Sequence, residues 1–589
     1  MEPDRPRVFR GAVSPGPPLL RRMSGTVPAW IALLALASVA SAGAVIALPA
    51  VVGRGVDAIL AAGAAGAGRA DGAGTEELWI WVIRCAVLTA IMACGDVLVQ
   101  LGAGTVTGNC TGWLRHELVR HILACGPRVT GRFAPGDAVS RLIGGTVDAA
   151  GTPCGAVLAV TATIPAFGSV AALGLIDPWL AVTFAAGMPA VVLALRSFLR
   201  DTSDAVLRYQ RVQGTITAHL VATMTGARTI AAAGTRDQEI ERVLAPLPLL
   251  REQGCRTWRV QGRIAAQGGL LVPVLQVLVV AAGGVELSRG RISPGELLAA
   301  SQYAALGAGI GAATGQVARL ARGRAGAARI GGLLEIPAPP QGNSPLPAGG
   351  GRVEFRGVTV RAGGAPAIDD LSLVVPAGAA VAVVGRNGAG KSTLAALAGR
   401  LADPDRGEVL LDGVPLPQLA APRLRAAVTY AFERPAPLGD TVRDTIAYGL
   451  PGQAPEETIA AAARAARAEP FVRRLPGRYL TPLAGVPLSG GEHQRLGLAR
   501  ALVRAADARV LVLDDATSSL DTVTAMEVSQ AIAGLRGGRT TIIVTHRAAT
   551  AAGADLVAWL EAGRLRGLAP HEELWTEPGY RAVFGAGPG

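Results

Sequence analysis

Charged and aromatic residues are scarce in this chain of 589 residues. Only 17% of the residues are charged and 4% are aromatic, whereas 50% are hydrophobic, so Ala, Val, Leu and Gly supply most of the apolar bulk. The mean hydropathy is also positive. Such a balance is unusual for a soluble protein of this length and indicates a membrane protein. The length itself excludes a single hydrophobic core and indicates at least two domains.

Cysteine is rare as well. The six cysteines lie between Cys85 and Cys255, in the first half of the chain, and no two form a C-x-x-C pair. This spacing argues against a zinc site and against a disulfide framework. We therefore expect the cysteines to fill small apolar spaces.

Lysine is almost missing, and arginine supplies nearly all of the positive charge. The formal net charge is +12, and among 56 basic residues only Lys391 is a lysine. Because no aromatic residues are interleaved with the arginines, we do not expect nucleic-acid binding, and membrane topology gives the arginines another use. The single lysine falls inside a phosphate-binding motif.

Long uncharged apolar runs predict about six membrane-spanning helices. The first, at 28–52, contains no charge and is long enough to cross a bilayer of about 30 Å as a helix. A secretory signal peptide is the alternative, but its apolar region would cover only about 7–15 residues and no further spans would follow. The other spans are predicted at about 78–104, 153–174, 178–199, 262–286 and 295–317.

One acid lies inside these runs. Asp96 falls near the middle of the second predicted span, where a charge facing lipid is costly, so we expect it to face the helix bundle or a wet cavity. A residue bonded to its neighbours without touching cargo and a residue with a role in transport both fit this position.

The arginines also predict an orientation. Five precede the first span, and the segments at about 105–150 and 200–261 hold many more, whereas the intervening loops hold few. Cytoplasmic loops carry such an excess, so the amino terminus is predicted to be cytoplasmic, and an even number of spans returns the second half to the same side. The nearly lysine-free composition suggests a bacterium of high G+C content, and hence a multi-pass protein of the cell membrane.

These patterns divide the chain into four segments. Amphipathic stretches at 113–124 and 235–247 predict that membrane helices continue into the cytoplasm, and a Pro- and Gly-rich stretch marks the boundary with the second domain. The predicted segments are a cytoplasmic tail at 1–27, a transmembrane domain at 28–322, a linker at 323–350 and a phosphate-binding domain at 351–589.

A phosphate-binding loop is the first chemical motif in the second half of the chain. The apolar run VAVVG leads into GRNGAGKST, and a helix-like run follows. Glycines let backbone N–H groups turn towards a phosphate, and the start of a helix adds its positive end. Lys391 would reach the terminal phosphates, and Ser392 would offer its hydroxyl to magnesium. The predicted nucleotide-binding residues of this loop are Gly385, Arg386, Asn387, Gly388, Ala389, Gly390, Lys391, Ser392 and Thr393.

A second apolar run, VLVLDD at 510–515, ends in two acids. A buried parallel strand delivers such residues to its carboxyl end, where the ligands of open α/β sheets bind. Asp514 is predicted to hold magnesium through water, and Asp515 is predicted to face the attacking water.

Three further motifs narrow the class. LSGGEHQR at 488–495, SSLD at 518–521 and TH at 545–546 follow in an order that resembles the ATP-binding cassette (ABC) family. About six spans followed by one such cassette resembles an exporter-type half transporter. The resemblance implies a polytopic α-helical membrane domain joined to an α/β P-loop domain, an ATPase activity, ATP and Mg²⁺ as cofactors, and a second half transporter and the lipid bilayer as partners.

The resemblance also implies roles for particular residues. A helix opened by the signature would meet the γ-phosphate of an ATP held by a partner chain, so that ATP is sandwiched between two cassettes. Asp521 would lie at their interface, and His546 would contact the γ-phosphate. The signature residues are Ser489, Gly490, Gly491 and Glu492.

The chain departs from the family pattern at four places. Ala362 stands where an aromatic side chain usually stacks on adenine, and TPLAGVP at 481–487 replaces an acidic run. Glu433 stands where a glutamine normally joins magnesium to the membrane domain, and its carboxylate could still coordinate magnesium. Asp515 replaces the glutamate that acts as general base, which withdraws the carboxylate by about 1.5 Å. Glu433, Asp515 and His546 remain the predicted catalytic residues.

These departures predict a weakened nucleotide site beside an intact signature. We therefore expect a subunit of a heterodimer that exports a small molecule, lipid or peptide, with the cargo left open. A homodimeric exporter, an importer with the exporter fold and an ATP-gated regulatory subunit are the alternatives. A soluble ATPase of the same family would have no use for repeated uncharged runs of membrane-spanning length.

Overall fold

A computed structural model divides the chain into two units. The first unit comprises Met1–Ile122 and Phe133–Ile336, and the second comprises Leu123–Arg132 and Pro337–Gly589. The predicted tail at 1–27 lies mostly outside the described residues, and so does the side chain of Ala362. The structure describes residues 19, 22–23, 25–64, 73–133, 135–308, 311–362, 365–452, 454–535 and 538–585.

The described residues of the first unit form helices joined by short turns. Its sequence is rich in Ala, Leu and Val, and the long runs contain too few charges to interrupt an apolar helix. In chain order the helices up to residue 336 are α1 Pro28–Ala64, α2 Ala73–Cys125, α3 Pro127–Thr130, α4 Pro135–Ser140 followed by a π-helical turn at Arg141–Gly145, α5 Thr146–Ala150, α6 Thr152–Thr161, α7 Ile164–Ile176, α8 Pro178–Thr225, α9 Ala227–Ala233, α10 Arg236–Leu244, α11 Leu247–Ser288, α12 Pro294–Ala308 and α13 Gly311–Leu334.

Four helical stretches among the described residues are long and apolar enough to cross a membrane: Pro28–Ala61, Leu78–Cys125, Pro135–Ile176 and Leu270–Ser288. They contain or overlap the predicted spans at 28–52, 78–104, 153–174 and 262–286. The predicted spans at 178–199 and 295–317 also coincide with helices, namely α8 and the pair α12 and α13, but they are not among these four. Helix α13 runs across the predicted domain boundary at 322.

Small residues allow the helices of the first unit to approach closely. A Cβ added to Gly187 would lie 2.5 Å from Leu275 of α11, and one added to Gly307 would lie 2.6 Å from Phe184 of α8. Association in lipid relies on such close packing because lipid tails are as apolar as the helices. Asp96, the acid of the second span, is exposed in the single chain and accepts a hydrogen bond from Ser41 Oγ at 3.3 Å.

Two β-sheets form the framework of the second unit. One has four antiparallel strands in the order β2-β1-β4-β5, and the other has six in the order β10-β9-β3-β8-β7-β6. All strands of the larger sheet run parallel except β10. The strands are β1 Val353–Ala362, β2 Ala365–Val375, β3 Ala380–Gly385, β4 Arg406–Leu411, β5 Val414–Pro415, β6 Val428–Phe432, β7 Val510–Asp514, β8 Thr540–Val544, β9 Leu556–Glu561 and β10 Arg564–Ala569.

Helices cover the larger sheet, and its apolar strands are almost completely buried. Every residue of β3 and β8 is buried, as expected for parallel strands covered on both faces. The helices are α14 Lys391–Ala398, α15 Ala421–Ala427, α16 Val442–Ala447, α17 Glu456–Ala465, α18 Glu469–Val472, α19 Gly490–Ala505, α20 Thr522–Leu535, α21 Ala548–Ala552, α22 His571–Leu574 and α23 Pro578–Val583.

The short helix α3 belongs to the second unit, although its sequence lies among the membrane helices. Arg128 of α3 forms an ion pair with Asp403 and donates from Nη1 to the main-chain oxygen of Pro337 at 3.1 Å. Asp403 is also bonded to Arg400 Nε at 2.9 Å. These contacts attach residues 123–132 to the α/β unit.

Asp412 anchors the start of the second unit. Its side chain is only 5% exposed and pairs with Arg509 Nη1 at 2.7 Å. Its Oδ1 accepts hydrogen bonds from the amides of Gly351 and Arg352, both at 2.9 Å. Removal of this carboxylate would therefore break the ion pair with Arg509 and take the acceptor from both amides, while Arg509 Nη1 would keep its bond to the main-chain oxygen of Pro347.

We expect Asp412→Ala to destabilise the second unit by about 3 kcal/mol because it breaks a largely buried ion pair. The unfolding midpoint of the detergent-solubilised protein, followed by tryptophan fluorescence, should fall by roughly 5–10 °C. Glu408→Ala is the control, since its pair with Arg356 is about half exposed on both sides, and exposed pairs contribute about 0–1 kcal/mol. Equal midpoints for the two variants would contradict this assignment.

Candidate functional site

The carboxyl ends of four adjacent parallel strands meet at one edge of the larger sheet. Strand β3 leads into the phosphate loop, β8 into His546, β7 ends at Asp514, and β6 is followed by Glu433. Ligands of open α/β sheets bind at this edge. The structure thus brings together the phosphate loop, both predicted acids and the predicted histidine.

The phosphate loop depends on glycine at two positions. Gly388 has a φ of 81° and Gly390 a φ of 94°, a region that L side chains rarely adopt. A Cβ on Gly390 would also lie 2.5 Å from the main-chain oxygen of Ala367. Helix α14 begins directly after this turn, at Lys391. The predicted order of strand, loop and helix is therefore present.

Lys391 folds back over the loop that precedes it. Its Nζ donates to the main-chain oxygens of Gly385 at 2.8 Å and Arg386 at 3.1 Å. Burial lowers the pKa of Lys391, while Asp515 and Asp514 act to raise it. A phosphate bound in this loop would supply the lysine with negative charge at short range.

Asp514 lies where a magnesium ligand is expected. Ser392 Oγ donates to Asp514 Oδ1 at 3.0 Å, so the two predicted ligands are adjacent. Burial raises the pKa of Asp514. The bond from Ser392 acts against this shift, whereas the charges of Asp515 and Glu433 add to it. An excess of carboxylates around one lysine fits a divalent cation, which binds to oxygen ligands.

Asp515 and His546 are paired. His546 Nδ1 lies 3.1 Å from Asp515 Oδ1, and the histidine side chain is 56% exposed. Asp515 has a φ of 47°, in the left-handed region, and its amide donates to the main-chain oxygen of Val544 at 3.2 Å. The strained turn directs the carboxylate at the end of β7 towards the residue that follows β8.

Glu433 follows β6 and is exposed. Its carboxylate lies 3.7 Å from Arg434 Nε, and its charge contributes to the raised pKa of Asp514. The third predicted catalytic residue therefore borders the same site as the two aspartates.

The signature opens helix α19 with a reciprocal cap. Ser489 is the N-cap residue, its Oγ accepts from the amide of Glu492, and Glu492 Oε2 accepts from the amide of Ser489. Burial acts to raise the pKa of Glu492, but the bonds from Ser489 and the charges of Arg495 and Arg474 outweigh it, so the pKa is lowered. Gly490 is exposed, which leaves the amide end of the helix open to a ligand from outside the chain.

Asp521 caps the next helix. Its Oδ1 accepts from the amide of Thr524 at 2.9 Å, and this backbone bond is the largest cause of its lowered pKa. The side chain is exposed at the start of α20. Asp521 and Glu492 thus both have a local capping role in their own chain.

Gln494 belongs to the site, although it is not among the predicted site residues. It is 2% exposed, and its Nε2 donates to the main-chain oxygen of Glu433 and to Ser518 Oγ, both at 2.8 Å. Its Oε1 accepts from the amide of Ser519 at 2.9 Å. A polar residue on the apolar side of α19, one turn before Leu498, was the available signal.

A helical membrane unit followed by an α/β unit with a phosphate loop, an acid-ended strand and a capped signature helix defines an ABC transporter. The ABC transporter transmembrane region family matches residues 31–308, and the ABC transporter family matches residues 368–518. The chain belongs to the ABC transporter family and is of the exporter type. The predicted fold class is confirmed, and as a member of this family the chain is an ATPase that acts in a membrane as a half transporter of a dimer.

Curated relatives and a solved structure agree with this assignment. The chain is 44% identical to the ABC transporter ATP-binding protein RamA of Streptomyces coelicolor over 94% of this chain and 85% of the relative. It is 32% identical to an ATP-dependent lipid A-core flippase of Chromohalobacter salexigens over 81% and 83% of the two chains. The structure of a bacterial Atm1-family ABC exporter with ATP bound matches with a TM-score of 0.75 and 25% identity, over 96% of this chain and 98% of that one.

We expect Lys391→Arg to lose ATP turnover nearly as fully as Lys391→Ala, by about 100-fold. The loop oxygens that receive Nζ lie at 2.8 and 3.1 Å, and a planar guanidinium is too large to replace a compact ammonium there. ATPase assays in lipid nanodiscs measure the effect. Wild-type turnover in Lys391→Arg would show that only the positive charge matters.

Asp514→Asn should raise the stability of the nucleotide-free protein while abolishing hydrolysis. The fold raises the pKa of Asp514. The contribution of Asp514 to the free energy of unfolding is therefore present in full below the ordinary aspartate pKa, about 3.9, and is lost as the pH rises through the pKa of the folded state. Unfolding midpoints from about pH 4 to neutrality should therefore fall less steeply in this variant than in the wild type. The exposed Asp440→Asn is the control. If the unfolding midpoints of Asp514→Asn followed the same pH dependence as those of the wild type, ionised Asp514 would carry no electrostatic cost in the folded protein.

Proposed function

We propose that this protein exports an amphipathic cargo, such as a small molecule, lipid or peptide, as the slow-turnover subunit of a heterodimeric ABC transporter. It would lie in the cell membrane as a multi-pass protein with its amino terminus and cassette in the cytoplasm. The observation that carries the proposal is the pair of Asp515 and His546, 3.1 Å apart, beside an assembled phosphate loop. The position of the general base is kept, but its side chain is one methylene shorter than glutamate.

The short base limits hydrolysis rather than binding. A general base must lie within hydrogen-bond reach of the proton it takes, at about 2.6–3.2 Å. Withdrawal of the carboxylate by about 1.5 Å exceeds that tolerance. Lys391 and the glycines of the loop are unaffected by this change, so we expect ATP to be held but cleaved slowly.

Glu433 adds charge where the family has a neutral amide. Its negative charge raises the pKa of Asp514, as the charge of Asp515 does. Ser392, Asp514 and Glu433 would hold Mg²⁺, which would neutralise charge on the β- and γ-phosphates of ATP. The extra acid supports tight retention of the cation.

The signature retains the features that a partner would use. Ser489 and Glu492 complete their capping box, and the amides of Gly490 and Gly491 lie at the open end of α19. We propose that these residues complete the ATP site of a second half transporter that carries a glutamate base. A homodimer would place two short bases in two equal sites, which is the alternative arrangement.

The relatives favour an amphipathic cargo. Several are described as lipid flippases, and the exposed Asp96 beside Ser41 would suit a cargo with a polar or cationic group. Transport into inverted against right-side-out vesicles distinguishes export from import. ATP-dependent gating without flux against a gradient would identify a regulatory subunit.

Asp515→Glu should raise the ATP turnover of this site by about 10-fold or more, because it restores the reach of the base. Turnover is measured by phosphate release from the full chain in lipid, alone and together with a half transporter that has an intact glutamate. Glu433→Gln serves as the comparison that restores the other family residue without changing the base.

Two results would contradict the proposal. Brisk, cargo-stimulated hydrolysis and transport by the wild-type chain alone would exclude the need for a different partner. A lower turnover in Asp515→Glu than in the wild type would show that this site is built around aspartate.

A further inference from the structure

The buried amide of Gln494 joins three parts of the α/β unit. Its donors reach the main-chain oxygen of Glu433 and Ser518 Oγ, both at 2.8 Å, and its acceptor receives the amide of Ser519 at 2.9 Å. The main-chain oxygen of Asp515 lies 3.5 Å from the same Nε2. A buried amide with its hydrogen-bonding capacity used in this way fixes the segments to which it is bonded.

These partners belong to two functionally different parts of the α/β unit. Glu433 and Asp515 border the site that this chain builds around its own phosphate loop. Ser518 and Ser519 belong to the segment that ends at Asp521, and Gln494 lies on the first turns of the helix capped by Ser489. One side chain therefore connects the ATP site of this chain with the two elements that family membership assigns to the contact between cassettes.

Hydrogen bonds to main-chain atoms make this connection sensitive to small shifts. Two of the three bonds shorter than 3 Å involve backbone groups. These two bonds therefore depend on where each segment lies and not on which side chains it carries. A rotation of α19 would move Gln494 and would break or stretch all of them together. The Glu433 segment and the 518–521 segment would then no longer be held by the same side chain.

We propose that Gln494 is a positioning residue that holds the Glu433 segment, the Asp515 turn and the 518–521 segment in register with the signature helix α19. Through this residue, closure of the signature on a partner's nucleotide is communicated to the site that contains Asp515. The inference rests on the ATPase activity of the family and holds for a homodimer as well as for a heterodimer.

Gln494→Met tests this role, because it preserves the length of the side chain and removes its hydrogen bonds. In full-length protein reconstituted in lipid with the partner with which it assembles, we expect kcat for ATP to fall about 10-fold or more while KM stays within about threefold. Exchange of the Ser519 amide, read by hydrogen–deuterium exchange, should quicken by about 10-fold or more because its acceptor is lost. Gln530→Met, an exposed glutamine of α20, is the matched control and should leave all three quantities unchanged.

Three outcomes overturn the proposal. The first is turnover within about twofold of the wild type despite faster exchange at Ser519. The second is a parallel loss of kcat, ATP affinity and unfolding midpoint, which identifies Gln494 as a purely structural residue. If Gln494→Met does not fold, Ser518→Ala decides, since it removes one of the three bonds: an intermediate loss of turnover supports the proposal, and unchanged turnover overturns it.

Discussion

The candidate ATP site depends on the pairing of parallel strands in a buried sheet. Val544 of β8 lies opposite Val383 of β3 on one side and Asp514 of β7 on the other. Neighbouring strands are about 4.8 Å apart, so the phosphate loop, the two acids and His546 are brought within hydrogen-bonding range although they come from distant parts of the sequence. The strands of this ladder are almost completely buried, as is usual for parallel strands that are covered on both faces.

Charge is the second constraint on the site. Lys391 is the one ammonium group near Asp514, Asp515 and Glu433, and the fold opposes its charge by burial while the acids favour it. The raised pKa of Asp514 has the same origin. Such a site is unfavourable in isolation and becomes favourable when a nucleotide and a divalent cation bind, so local stability is exchanged for function.

Polar contacts stabilise the α/β unit, and close packing stabilises the helical unit. In the α/β unit, Ser489 caps the first turn of α19, and Gln494 bonds the helix to the Glu433 segment and to Ser518 and Ser519. In the helical unit, glycines such as Gly187 and Gly307 replace the hydrophobic driving force that lipid cannot supply. Asp96 is exposed there in the single chain and accepts a hydrogen bond from Ser41, in a helix where a charge that faces lipid is costly.

The sequence alone determined the family, the phosphate loop, the acid-ended strand and the start of the signature helix at Ser489. Each of these follows from a local rule, such as glycine at positive φ or a cap that closes within four residues. The pair of Asp515 and His546, the effect of Glu433 on Asp514, and the bonds of Gln494 were decided by tertiary structure. Asp515 and His546 are 31 positions apart, and Gln494 and Glu433 are 61 positions apart; the strand order that makes such residues neighbours is set by the packing of the whole sheet, which no local spacing records.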